Sequence, residues 1–207
     1  MDSIYGQKLG MTRVFTENGD SIGVTVVKVD PATVVNVKTT EKAGYNAVVL
    51  GFGEVRENLL NKPHKGQFKK TETTPKKHLK EVRIDGDELP EIGTVFGADV
   101  FQAGQRISVT GISRGHGFQG GVKRHGFAGG PKTHGQSDRL RAPGSIGQAS
   151  YPARVLKGTR MAGRMGNERV TVKNLKVFSV EPEQSLILIK GVVPGAKNSM
   201  ILVRKAR

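Results

Sequence analysis

Short runs rich in β-branched residues, set off by Gly, Pro, Asn and Asp, recur along this chain, and such runs read as strands. Residues 11–16 make a first short strand. The stretch 17–20 follows and contains Asn18-Gly19, a hairpin turn signal. Residues 22–29 are dense in Val and Thr, Asp30-Pro31 breaks the run, and 33–38 and 45–52 resume it. Further strands are predicted at 94–101, 106–112, 170–180, 185–192 and 200–204. No amphipathic helical run separates them, which argues against βαβ units and for a mainly β chain whose strands close a barrel. Strands from both ends of the sequence are needed for closure. The predicted barrel body is therefore 1–55, 84–110 and 170–207, with 56–83 and 111–169 as insertions within it.

Charge sharpens this division. The 207 residues carry a formal net charge of +15, with a pI near 10.2. Residues 56–83 hold nine Lys and Arg against three acids, and residues 111–169 hold eleven against two. The remaining 120 residues balance at zero. A neutral scaffold is thus expected to carry two basic segments, and such segments attract polyanions such as nucleic acid or an acidic membrane surface. The first segment contains Pro63 and Pro75, and Leu59, Leu60, Leu79 and Val82 are candidate anchors for short helices. Cysteine is absent, which removes disulfides and Cys-ligated metal sites. The opening residues 1–7 lack the basic and apolar regions of a signal peptide, and no run of about 18 apolar residues occurs. The expected address is cytoplasmic, with no membrane contact.

The second segment has 14 glycines in 59 residues and few large apolar side chains. A stretch of that length without structure of its own is uncommon inside a compact domain unless it is functional or disordered. Its composition favours function. Glycine lets a backbone approach a phosphate closely, and arginine forks grip phosphates and stack on bases. Phe118, Phe127 and Tyr151 are positioned among these residues as candidate stackers for unpaired bases. The expectation is a segment that orders on nucleic acid, with a mobile, tail-like loop as the alternative. In the first segment the candidate RNA contacts are Lys62, Lys65, Lys69 and Lys70. In the second they are Arg114, Lys123, Arg124, His125, Lys132, His134, Arg139 and Arg141, then Gln148, Arg154, Lys157, Arg160, Arg164 and Arg169.

Several motifs point elsewhere and do not hold up. Residues 115–120 fit G-x-G-x-x-G, but a dinucleotide site needs a helix opening at the third glycine. The continuation through Gly126, Gly129, Gly130 and Pro131 is not expected to hold one. His134, Ser137 and Asp138 are adjacent in sequence, which is not triad geometry, and no G-x-S-x-G elbow exists. His116, His125 and His134 recur every nine residues, yet carboxylates to support a metal are scarce there. Residues 191–197 have the wrong spacing for a P-loop. No catalysis, metal, cofactor or small-molecule substrate is expected.

The ordered set of blocks along the chain resembles the bacterial form of the universal large-subunit ribosomal protein L-three family. The blocks begin with Gly6-Gln7-Lys8-Leu9-Gly10-Met11-Thr12 and continue through Asn61-Lys62-Pro63 and Gly66-Gln67-Phe68. They include Val109-Thr110-Gly111, Phe127-Ala128-Gly129-Gly130-Pro131 and His134-Gly135. The most specific are Arg141-Ala142-Pro143-Gly144-Ser145-Ile146-Gly147-Gln148 and Lys157-Gly158-Thr159-Arg160-Met161-Ala162-Gly163-Arg164-Met165-Gly166. The resemblance implies a barrel like the second domain of translation factors and a small inserted subdomain. It also implies a long loop running through rRNA toward the peptidyl-transferase centre. It further implies binding near the 3′ end of the large rRNA early in assembly, beside other large-subunit proteins. Ser150 stands where some bacterial relatives carry a methylated glutamine, so that modification is not expected at this position. His125 stands where a Trp is frequent, which implies weaker stacking there.

Overall fold

The computed structural model describes residues 2–84, 86 and 89–206. Residues 85, 87 and 88 of the stretch assigned above to the barrel body lie outside the described residues, as do Met1 and Arg207 at its two ends. The chain divides into two compact units, one made of residues 1–112 and 169–207, the other of Ser113–Glu168.

The first unit is built around a closed barrel of six strands. They are β1 (Ser3–Phe15), β2 (Ser21–Lys28), β7 (Arg106–Ile112), β10 (Arg169–Glu181), β11 (Leu186–Lys190) and β12 (Met200–Lys205). Their order round the barrel is β1-β12-β7-β10-β11-β2, and every pairing is antiparallel. β1 and β2 form the expected hairpin at Asn18-Gly19, where Gly19 takes φ +84°. β1 is longer than the 11–16 run predicted. Gly6 and Gly10 weaken its strand signal, and a bulge between Lys8 and Gly10 interrupts its alternation.

Three of the predicted strands do not join the barrel. β3 (Ala32–Lys38) and β4 (Ala47–Glu54) form a separate four-stranded sheet with β5 (Lys76–Arg83) and β6 (Val95–Phe96), in the order β5-β4-β3-β6. Hydrogen bonding explains the exclusion: each barrel strand already has both edges paired, and β4 has both edges taken by β3 and β5. The predicted 94–101 strand shrinks to β6, followed by a 3-10 turn at Ala98–Val100. β5 is an edge strand drawn from the Lys-rich residues 76–83, so Leu79 and Val82 lie on a strand and not on a helix. Helices do occur in the flanking stretches: α1 (Thr40–Ala43) links β3 to β4, and α2 (Lys62–Lys70) carries Phe68 as its one buried side chain.

One apolar core serves barrel and sheet together. Ile4, Val27, Ile107, Val109, Ile187, Ile189, Ile201 and Val203 face inward from the barrel, in contact with Val34, Val48, Leu50 and Phe52 of the sheet. The rings of Tyr5 and Phe52 stack at 5.4 Å and 7°, and the His78 ring lies 5.5 Å from Phe52, tilted by 33°. Two polar ties close the barrel's end: Thr25 Oγ1 donates to the Gly191 carbonyl at 2.6 Å, and Lys8 Nζ donates to the carbonyls of Val193 and Gly195, each at 2.9 Å. No helix among the described residues is long and apolar enough to cross a membrane.

Candidate nucleic-acid interface

The second unit, Ser113–Glu168, is inserted in sequence between the paired strands β7 and β10. Its two ends run together as a ribbon. β8 (Gly117–Gln119) pairs antiparallel with β9 (Gly163–Met165), Ser113 N–H donates to the Glu168 carbonyl at 2.8 Å, and His116 N–H donates to that of Met165 at 2.9 Å. Gly166 makes this possible. Its φ is +75°, and a Cβ there would stand 2.1 Å from the Arg114 carbonyl oxygen, so no other residue fits without moving backbone.

A short helix, α3 (Gly121–His125), follows β8, contrary to the expectation that this glycine-rich sequence holds none. The helix is one turn long and is closed by Gly126, which is left-handed and donates its N–H to the carbonyls of Gly121 and Val122. The dinucleotide reading still fails. β8 pairs antiparallel with another three-residue strand, and no parallel βαβ unit surrounds the glycines.

At the foot of this unit a cavity of about 410 Å³ brings together Arg114, His116, Arg124, His125 and Arg164, with Glu168 as the one carboxylate in its lining. Arg124 Nη1 donates to the Met161 carbonyl at 2.9 Å. The same carbonyl accepts from His125 Nε2 at 2.9 Å, which places a proton on that nitrogen. The His125 ring also tilts against Phe127 at 5.7 Å, so it serves the local fold as well as facing the cavity. Arg139 lines a second hollow of about 450 Å³ with Phe127, Gln136 and Pro143.

The other candidates here, Lys123, Lys132, His134, Arg141, Gln148, Arg154, Lys157 and Arg160, are exposed and line neither hollow. The unit has ten Lys and Arg against two acids. None of the ten makes an ion pair among the described residues, and only Arg124 is half-buried. Phe118 and Tyr151 are 77% and 84% exposed, which leaves both rings open to a stacking partner. In the first unit, Lys62, Lys65 and Lys69 fall on one side of α2, within roughly 60° by helical period. Lys70 lies on an adjoining side, and α2 contains no acid to offset these charges. Arg169 opens β10 opposite Ile112.

Ser137 Oγ donates to Asp138 Oδ1 at 3.1 Å, but no hydrogen bond among the described residues joins His134 to either, and all three are exposed. No group of three or more His, Cys, Asp or Glu that could hold a metal occurs among the described residues. Sequence reasoning passed over the outer barrel face, where Lys173, Arg204 and Lys205 gather near Arg169, with Arg83 of β5 beside them. Their scatter along the chain gives no local signal.

Comparison with known proteins sets the class. A family profile described as "Ribosomal protein L3" matches residues 80–185. The "Large ribosomal subunit protein uL3" of Roseiflexus sp. (strain RS-1) is 50% identical over 206 residues, covering 100% of this chain and 98% of the relative. The protein of the same description from Brachyspira pilosicoli is 52% identical over 206 residues, covering 100% and 94%. That from Carboxydothermus hydrogenoformans is 48% identical over 203 residues, covering 98% and 96%. The class is that of ribosomal proteins, which are structural components and not normally enzymes. The chain belongs to the ribosomal protein L3 family.

Proposed function

We propose that this protein is a structural constituent of the large ribosomal subunit that binds large-subunit rRNA and works in the cytoplasm beside neighbouring subunit proteins. The observation that carries the reading is the 113–168 unit. Ten cations sit there without ion-pair partners among the described residues, on a backbone with Gly121 as its one buried residue. Such a unit buries too little apolar surface to have been shaped for stability, and its charges suit closely packed phosphates. The family resemblance supports the finer reading. The barrel corresponds to the translation-factor type, the chain binds early near the 3′ end of the rRNA, and residues 111–169 extend toward the peptidyl-transferase centre.

On this reading Arg139, Arg141, Arg154, Lys157, Arg160 and Arg164 neutralise phosphates inside the particle, and the lysines of α2 hold RNA at its surface. No protein group takes part in chemistry. Sedimentation tests the core claim: the protein comigrates with large subunits on a sucrose gradient. Recovery only in the soluble top fractions would overturn it.

A further inference from the structure

The outer face of the barrel carries a basic groove that charge counting along the chain does not reveal. Ile4, Val109 and Val203 are fully buried, so the two-residue period of their strands turns Tyr5, Thr110 and Arg204 outward. Strand register then sets Tyr5 opposite Leu202, Leu202 opposite Thr110, and Thr110 opposite Thr171, a row crossing β1, β12, β7 and β10. Arg204 lies one step along, opposite Ser108. A bulge between Val172 and Leu175, with Asn174 at φ +60°, adds Lys173 to the lining. The other wall is residues 81–83 of β5, and the groove between measures about 630 Å³.

Five cations line it, Arg83, Arg169, Lys173, Arg204 and Lys205, against the carboxylate of Glu81. That carboxylate is already engaged, because Lys38 Nζ donates to Glu81 Oε2 and also to Tyr45 Oη. Arg83 is steadied 4.7 Å above the Tyr45 ring. None of the five cations makes an ion pair among the described residues. Burial pushes the Tyr5 phenol up in pKa while Arg169 and Arg204 pull it down, so both guanidiniums act on its hydroxyl. Converging like charges repel, and a polyanion in the groove would relieve this.

The floor indicates which polyanion. Thr110 Oγ1 and Thr171 Oγ1 are 2.8 Å apart, and with Ser108 they offer hydroxyls that suit ribose better than a carboxylate side chain. The Tyr5 ring is stacked on Phe52, which takes up one of the faces a base would need. We propose that this groove binds the sugar–phosphate backbone of one RNA strand, with the cations on phosphates and the hydroxyls on 2′-OH groups, independent of base identity. The proposal rests on the rRNA-binding reading and adds to the 113–168 unit a contact surface on the barrel.

The test uses the full chain with a fluorescent oligouridylate or oligoadenylate, titrated across a range of salt. The groove variant is Arg83→Ala/Lys173→Ala/Arg204→Ala, all at exposed positions. The control removes three exposed cations elsewhere, Arg13→Ala/Lys42→Ala/Lys190→Ala. Loss of three single-strand phosphate contacts shrinks the slope of log affinity on log salt by about 2, equally for both RNAs, and the control leaves it unchanged. If the triple variant does not fold, Arg204→Gln reads the same effect at about 0.7. An unchanged slope in the groove variant, while removal of residues 127–151 still weakens binding, overturns the groove and leaves the rRNA reading standing. An equal loss in the control also overturns it, as does displacement of the RNA by polyglutamate at matched charge. Failure of the unaltered chain to bind either RNA sinks both readings.

Discussion

Lys8 shows how a charged residue can serve the fold. It belongs to the first block of family resemblance, yet its ammonium donates to the carbonyls of Val193 and Gly195. Removing it strands two acceptors, so Lys8→Ala is expected to cost about 1–3 kcal/mol in chemical denaturation. Gly166→Ala should act locally instead. Left-handed strain and contact with the Arg114 carbonyl together cost on the order of 1–3 kcal/mol. Hydrogen exchange should quicken at 113–117 and 163–168 while the barrel amides keep their protection. His78 gives the protein an acid-sensitive element. Burial, then Lys77 and Lys80, hold its pKa below the ordinary 6.5, so the folded state keeps it neutral. The unfolded chain takes up the proton first. Stability present above pH 6.5 is therefore lost as pH falls through that value toward the lowered one, and the loss stops below it. His78→Gln should flatten the thermal midpoint over this window; a slope equal to that of the parent protein would exclude His78 as its source.

Among the elements, what the sequence disclosed follows how strongly each local pattern speaks. β2, β7, β11 and β12 are rich in Val and Ile, and each lies within a residue or two of its predicted bounds. β5 has Val82 as its one buried residue, and its lysines give it the composition of a solvated loop, as edge strands often have. α3 is hidden because two glycines bracket a single turn. Which strands close the barrel was also not legible, since saturation of strand edges is a property of the assembled sheets. For α2 the predicted behaviour is simple. Phe68 is 2% exposed and is the helix's one buried side chain. Phe68→Ala should cost about 3–5 kcal/mol and release the helix to hydrogen exchange. Retained protection across 62–70 would mean that other contacts hold it.

Across the whole molecule, the candidate site was half legible. The cations of 113–168 form a run in sequence, so a count finds them. The groove cations lie at positions 83, 169, 173, 204 and 205, and only folding brings them to one place. The core lies wholly in the first unit. Deletion of residues 127–151 should therefore leave the barrel's melting temperature within about 2 °C of the parent, no more than the roughly 2–4 °C that 1 kcal/mol produces in a domain of this size. A larger fall in circular-dichroism melts would show that those residues support the barrel. The pairing of β1 with β12 has a consequence in time. A ribosome making this chain pairs β1 with β2 early but must add nearly two hundred residues before β12, the partner of β1's other edge, exists. The barrel cannot close until β12 has been made, and a chain broken off before β12 never completes it. Abortive fragments are then left with open strand edges, a mark that proteases and chaperones can read before a defective copy enters a particle.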